Sequence, residues 1–388
     1  MKIAYIGDFI NHGTSLQTIG TSLVIILSKL DNVASIDVYC PQRNQVVEEF
    51  QIPDKINIIS FYKYNHPFSI AKLLNVSWKS YDLIIFNMLP TGYGKDSLSN
   101  ATALLIPLIL TKLLRIKNIR IIYHNSVFTN NVEMLGYNSV YDRFRAYFLK
   151  NIEKTIFKNI QTYVLLNLYK ERIDRVIAKN RVQVMNARYL EAVTTVYMNN
   201  IMDTELLDNK KSEVPVILLH GFWGPQKNIE LALSSLLILK NKGIKFKLVI
   251  SGGINTHFLD YQAKFKKLLD NYADIVDEYL GYVKEKDIMD IFLKADLLIL
   301  PYNTPGGHSG VLEQALLFNL NTIAIDFPEY EEQAAGNSFI KLTNSEHLCE
   351  VLMLCLNLRD NKRTIEIRNK VIITQNNIKF VIDTSQKS

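Results

Sequence analysis

The chain has 388 residues, 48% hydrophobic and 21% charged, with 44 Lys+Arg against 38 Asp+Glu for a net charge of +6. These proportions exclude disorder, a collagen-like fibre and a disulfide-stapled miniature, and the length suits two domains of ~190 residues, each able to bury its own core. The basic excess is local: residues 101–200 hold 15 basic and 6 acidic side chains, net +9, so the rest of the chain nets −3.

In chain order, short apolar runs alternate with longer amphipathic stretches. Lys2–Ile6 reads as a buried strand, followed by Gly7 and a helix over Thr14–Leu30. Strands follow at Ser35–Tyr39, Ile56–Phe61 and Tyr81–Phe86, then a helix over Ala101–Leu114 and a strand at Arg120–Tyr123. Asp142–Asn159 reads as a helix in which Phe144, Phe148, Ile152, Ile156 and Ile160 recur every four residues, as an inward apolar face would. Thr162–Leu166 and Gln183–Met185 close this half, and the polar Glu205–Glu213 before Pro215 reads as a linker.

The alternation then restarts. Strands are expected at Val216–Leu219, Phe246–Ile250, Val276–Leu280, Leu297–Leu300 and Thr322–Ile325. Helices are expected at Ile229–Asn241, Phe258–Tyr272, Glu285–Lys294 and Val311–Phe318. Repeated strand–loop–helix units of this length make parallel sheets. The expectation is an α/β protein of two doubly wound, Rossmann-like domains facing across a cleft. Their extents are 1–208 and 209–388, with a terminal helix able to pack back on the first domain.

In such sheets ligands sit at the carboxyl ends of the strands, so the strand-end loops hold the candidates. The first runs from Gly7 to Thr14. Gly13 lets a phosphate approach the backbone, and Thr14 opens a helix whose N–H groups favour an anion, although an ordinary glycine turn reads the same way. The second, His220 to Asn228, places Lys227 where a flexible cation reaches a diphosphate; the bland alternative is a solvated surface lysine. The third is Ser251-Gly252-Gly253, with Gly253 as its candidate ligand contact, and the fourth Gly281-Tyr282-Val283. The fifth, PYNTPGGHSGVLE from Pro301 to Glu313, is the most unusual. His308, Ser309 and Gly310 precede an apolar helix and offer backbone N–H groups to an anion or a sugar. Glu313 in the first turn of that helix suits vicinal hydroxyls of a ribose, or simply favours the helix dipole.

Here the residues reach a family. The blocks GFWGPQKNIELAL, VISGG, EYLGYVKEKDIMDIFLKADLLILPYN and SGVLEQALLFNLNTIAIDFPEYEE, within 213–333, resemble the C-terminal domain of GT-B glycosyltransferases, particularly glycosyltransferase family 4. The N-terminal half is similar only through the first glycine loop and the IIYHNS around His124. The resemblance implies a nucleotide-diphosphate sugar donor, Lys227 neutralising the diphosphate and Glu313 holding the ribose. It also implies backbone contacts from Gly310 and Val311 near the phosphates, Gly13 approaching them from the other domain, and His124 at the reaction centre. Two positions depart from the pattern: Pro305 stands where the first acid of E-x7-E belongs, and Phe222 where many members carry Arg. His308 is the candidate compensation for either loss.

The expected reaction is transfer of the sugar to a hydroxyl acceptor with retention of configuration. No D-x-D pair or metal-ligand spacing is present in the sequence, so no metal or other cofactor is expected. Two alternatives stand beside it: a non-catalytic GT-B partner subunit and a GT-B-fold nucleotide-sugar epimerase. The expected acceptor is a glycan, with a lipid-linked one tied to peripheral membrane contact through the basic 111–160 region. The competing reading of that region is a helix with its apolar face on the sheet and its basic face solvated. No nucleic-acid module is recognisable. Cys40, Cys349 and Cys355 form no CxxC pair and suit a reducing compartment. The first apolar run reads as a strand rather than a secretory leader, and Ala101–Leu110 is far short of the ~20 residues that span a bilayer. A cytoplasmic protein, with membrane association as an option, is the resulting expectation.

Overall fold

Buried β-branched runs set the architecture. In the computed structural model of the chain, Lys2–Ile6 (β1), Ser35–Pro41 (β2), Ile56–Tyr62 (β3) and Leu83–Met88 (β4) are strands, as are Ile119–Tyr123 (β5), Gln161–Val164 (β6) and Val182–Val184 (β7). They form one parallel sheet in the order β3-β2-β1-β4-β5-β6-β7. The central β1 and β4 are almost wholly buried apolar residues, the signature of strands covered by helices on both faces. The covering helices are Ser15–Ser28 (α1), Pro67–Ala71 (α2), Ser97–Lys112 (α3), Val140–Asn159 (α4) and Asn167–Val176 (α5). The structure describes residues 1–9, 15–42, 52–89, 93, 97–124, 126, 140–185, 214–255, 258, 260–283, 285–305, 307–338 and 340–357.

The second unit repeats the plan. Val216–His220 (β8), Lys247–Ser251 (β9), Glu278–Tyr279 (β10), Leu297–Leu300 (β11), Thr322–Ile325 (β12) and Ile340–Thr343 (β13) make a parallel sheet in the order β10-β9-β8-β11-β12-β13. Its helices are Ile229–Asn241 (α6), Tyr261–Asn271 (α7), Glu285–Lys294 (α8), Gly310–Leu317 (α9), Pro328–Ala334 (α10) and Leu348–Asn357 (α11). One core holds Ile217, Leu219, Trp223, Leu233, Leu236, Phe265 and Leu352, all buried, so α6, α7 and α11 are fixed against the same layer of strands. Both strand orders reverse beside the first strand of the sheet, which puts a topological switch point next to β1 and next to β8.

Most elements fall where the sequence placed them. α2, α5, β13, α10 and α11 carried no expectation, α7 begins three residues later than the expected Phe258, and β10 shrinks from five residues to two. The expected domain boundary at 208/209, the Glu205–Glu213 linker, Gly13, Thr14 and the terminal helix lie outside the described residues. Among the described residues no helix is long and apolar enough to cross a membrane.

One expectation is corrected. The i+4 row on α4 is not a single buried face. Ile152, Ile156 and Ile160 are buried, but Phe144 and Phe148 stand in solvent. The reason is geometric: at 3.6 residues per turn each i+4 step rotates by about 40°, so five such residues drift through about 160°. The row crosses from the outer to the inner side of the helix. Ala146, Leu149, Ile152, Ile156 and Phe157 form the true inner face.

Candidate active site

In the second unit, the strand ends bring three loops together. Gly221 follows β8 with φ +147° and donates its N–H to the Ser251 carbonyl at 3.2 Å. Gly252 follows β9 with φ +107°, and a Cβ there would lie 1.8 Å from the Gly221 carbonyl oxygen. Gly252 is therefore demanded by both conformation and space, whereas a Cβ on Gly253 would meet only Tyr282 at 3.6 Å. Gly252→Ala is expected to cost roughly 2–4 kcal/mol, read as a lowered urea midpoint, whereas Gly253→Ala should stay close to wild type.

Lys227 ends the short 3-10 turn Pro225–Lys227, and Asn228, in the left-handed region at φ 43°, turns the chain into α6. The Lys227 ammonium lies 3.5 Å from the centroid of the buried Tyr302 ring, a cation–π contact. Burial of that ammonium pushes the Lys227 pKa down to about 7. Behind it, His220 is buried and bonded through Nδ1 to Ser251 Oγ at 2.7 Å. Burial and then the Lys227 charge lower its pKa to about 4, so this imidazole stays neutral at pH 7. Phe222 and Tyr282, both partly exposed, face each other with ring centroids 6.5 Å apart.

The fifth loop is clamped from α10. Ser309 caps α9 by accepting from the Leu312 N–H at 3.2 Å. Gln333 accepts from the Ser309 N–H at 3.1 Å and donates through Nε2 to the Ser309 carbonyl at 2.8 Å and to Glu313 Oε2 at 2.9 Å. His308 is almost fully buried, with Nε2 3.3 Å from the same Glu313 oxygen. Burial opposes ionisation of Glu313, yet His308 and Gln333 together hold its carboxyl below the ordinary range. Glu313 is thus an ionised, fixed acceptor in the first turn of α9, and Gly310 and Val311 supply that turn's backbone. Pro305 contributes its carbonyl, which accepts from Tyr330 Oη at 3.3 Å.

In the first unit, the corresponding edge holds His124, just beyond β5. It is buried, its N–H bonds the Met88 carbonyl at 3.1 Å, and its Nε2 lies 2.5 Å from Asn87 Oδ1. An amide oxygen only accepts, so this bond places a proton on Nε2. Tyr123 Oη and Ser126 Oγ, on either side of His124, donate to the two oxygens of the wholly buried Glu153 at 2.7 and 2.6 Å. Asp8, at the end of β1, accepts from Tyr64 Oη.

The structure therefore gathers Lys227, Gly253, His308, Ser309, Gly310, Val311 and Glu313 at the carboxyl edge of the second sheet, and His124 at that of the first. Sequence reasoning missed Tyr302, Gln333, Asn87 and Glu153. Asn87 gave a signal: it is the polar residue ending the apolar run LIIFNM, at the ligand-facing end of a central strand. Glu153 gave one too, as an acid at a buried position of a basic helix. Gln333, in the surface-like EEQAAG, gave none.

Two doubly wound parallel sheets with an anion-ready cation, a capped helix and an ionised glutamate at the edge of the second define a GT-B glycosyltransferase architecture. Residues 207–371 match the family model for glycosyl transferases group 1, so this stretch of the chain is a glycosyltransferase domain. Solved structures share the fold across nearly the whole chain. Anabaena HepE in complex with UDP-glucose aligns with a TM-score of 0.65 at 15% identity, covering 99% of each chain. WaaG, a glycosyltransferase involved in lipopolysaccharide biosynthesis, aligns with a TM-score of 0.60 at 13% identity, covering 98% of this chain and 95% of its own. Sucrose-phosphate synthase from Thermosynechococcus elongatus aligns with a TM-score of 0.63 at 13% identity, covering 92% and 90%. No curated protein sequence matches the chain.

Proposed function

We propose that the enzyme transfers a sugar from a nucleotide-diphosphate sugar to an acceptor hydroxyl, with retention of configuration and without a metal ion. The observation that carries this reading is the presence of both Lys227 and the clamped Glu313 in loops at the carboxyl edge of one sheet: a cation suited to a diphosphate and a fixed carboxylate suited to vicinal hydroxyls. The helix N-terminus at Gly310–Val311 adds backbone donors at the same edge. Uridine diphosphate is the favoured nucleotide, because the structural relative HepE is in complex with UDP-glucose. Lys227 and the α9 dipole stabilise the departing diphosphate, one of whose oxygens takes the proton of the attacking hydroxyl on the same face. His124, at the carboxyl edge of the first sheet, orients that hydroxyl. The acceptor is a glycan, in the lipid-linked form where the enzyme works at a membrane.

The test is a thermal-shift screen of nucleotide-diphosphate sugars. A cognate donor at about 100 times its Kd stabilises the fold by about 2.7 kcal/mol, several degrees for a protein of this size, and Lys227→Ala removes the shift. A panel in which no donor moves the melting point, or in which Lys227→Ala keeps the shift, rejects the reading. Product analysis then separates transfer from the epimerase alternative, which would return an isomerised donor.

A further inference from the structure

The corrected rotation of α4 leaves an unusual surface. Val140, Phe144, Tyr147 and Phe148 are 85%, 69%, 65% and 50% exposed, four large apolar side chains within nine residues. On a helical wheel all four fall within about 80° of Val140, on the side opposite the inner face. A monomer gains nothing by holding two phenylalanines, a tyrosine and a valine in water as one stripe.

Among the described charged side chains of α4, Lys150, Lys154 and Lys158 lie on the same outer half of the helix, while Glu153 points inward to Tyr123 and Ser126. The helix sits in the stretch that carries the whole basic excess of the chain, net +9 over residues 101–200. Aromatic rings and a valine accompanied by three lysines match the boundary between headgroups and acyl chains: the rings enter it and the ammonium groups meet phosphate. A water-soluble anionic partner would use the cations and leave the rings idle; an apolar protein groove would use the rings and leave the cations idle.

Position strengthens the match. α4 ends at Asn159, immediately before β6 starts at Gln161, so its C-terminus lies at the amino edge of the sheet. Its 20 residues span about 30 Å, so the aromatic end lies toward the carboxyl edge, where His124 stands. The same helix holds the His124 segment through Glu153.

We propose that the outer face of α4 docks the enzyme on an anionic lipid bilayer, Val140, Phe144, Tyr147 and Phe148 entering the interface and Lys150, Lys154 and Lys158 pairing with lipid phosphate. The docking stands on α4 alone; only its use, meeting a lipid-linked acceptor beside His124, rests on the transferase reading.

The full-length protein is mixed with vesicles of phosphatidylcholine containing phosphatidylglycerol, or of phosphatidylcholine alone, and sedimented. Wild type is expected to pellet with the anionic vesicles and to be released by salt. Phe144→Ser with Phe148→Ser should weaken partitioning about tenfold or more. Lys150→Glu, Lys154→Glu and Lys158→Glu together should weaken it about a hundredfold, at about 1 kcal/mol per cation. These side chains are outside the core, so unchanged melting temperatures accompany both effects. Wild type left in the supernatant, equal binding to neutral vesicles, or an aromatic variant that binds as wild type overturns the proposal. So does a dimer on gel filtration that Phe144→Ser with Phe148→Ser dissolves, since the face then belongs to a second copy. No arm depends on turnover, so failure here leaves the donor reading standing, and failure of the donor screen leaves the docking standing.

Discussion

Lys227→Met is expected to lower kcat about 10²–10³-fold, the usual cost of deleting a positioned group that stabilises charge developing in the transition state. Cleaving a sugar–diphosphate bond leaves added negative charge on the diphosphate. Phe222 occupies a position where a second cation is common in the family, and the neighbouring His220 is held neutral by burial. In the proposed mechanism the load therefore falls on Lys227 and the first turn of α9. A loss under tenfold would mean that the helix end and the Ser309–Gly310 backbone carry the departing charge by themselves.

The same lysine makes donor binding depend on pH in a direction that can be fixed. In the free enzyme burial holds its pKa at about 7, so at pH 8 roughly nine in ten ammonium groups have lost their proton. A bound diphosphate favours the charged form and raises that pKa. Binding then takes up nearly one proton at pH 8 and little at pH 6, and affinity falls toward tenfold per unit as pH rises above about 7. Calorimetric titration in buffers of differing ionisation enthalpy reads the uptake directly. Lys227→Arg, which stays charged throughout, should abolish it. An uptake of zero at pH 8 in the wild type would show that the ammonium over Tyr302 is already charged before the donor arrives.

Why Lys227 was legible and Tyr302 was not illustrates the reach of sequence. A lysine between a strand end and a helix start is placed by two local elements, so its edge position follows from periodicity. The buried ring beneath it, Tyr302, comes from the loop just after β11, some 75 residues on, and only tertiary packing brings the two together. The fifth loop behaves alike. Its glycines, its Ser309 cap and the first-turn Glu313 are readable locally, but the clamp through Gln333 arrives from α10, a seven-residue helix too short to show a period. α4 differs for another reason: a strict i+4 row is not one face, because the helix rotates away from it. Counting at 3.6 residues per turn separates Phe144 and Phe148 from Ile152 and Ile156 without any structure.

His124→Ala is expected to lower kcat about 10²-fold with little change in the KM for donor, because in the proposed mechanism His124 orients the acceptor hydroxyl while Lys227 and Glu313 hold the donor. Asn87 gives the sharper test. Its amide oxygen fixes a proton on His124 Nε2 and so fixes how the ring presents itself to a hydroxyl. Asn87→Leu keeps the volume of this buried position, removes the acceptor and frees the ring to take either tautomer. A fall in kcat of about tenfold should follow, again with the donor KM held. Asn87→Asp restores an acceptor at the same place and should recover most of the loss. The backbone around His124 is secured separately, by Tyr123 and Ser126 donating to Glu153, so the Asn87 variants disturb the ring and leave its loop in place. If Asn87→Leu and Asn87→Asp lose activity equally, the bond serves packing rather than proton placement, and His124 acts by shape alone.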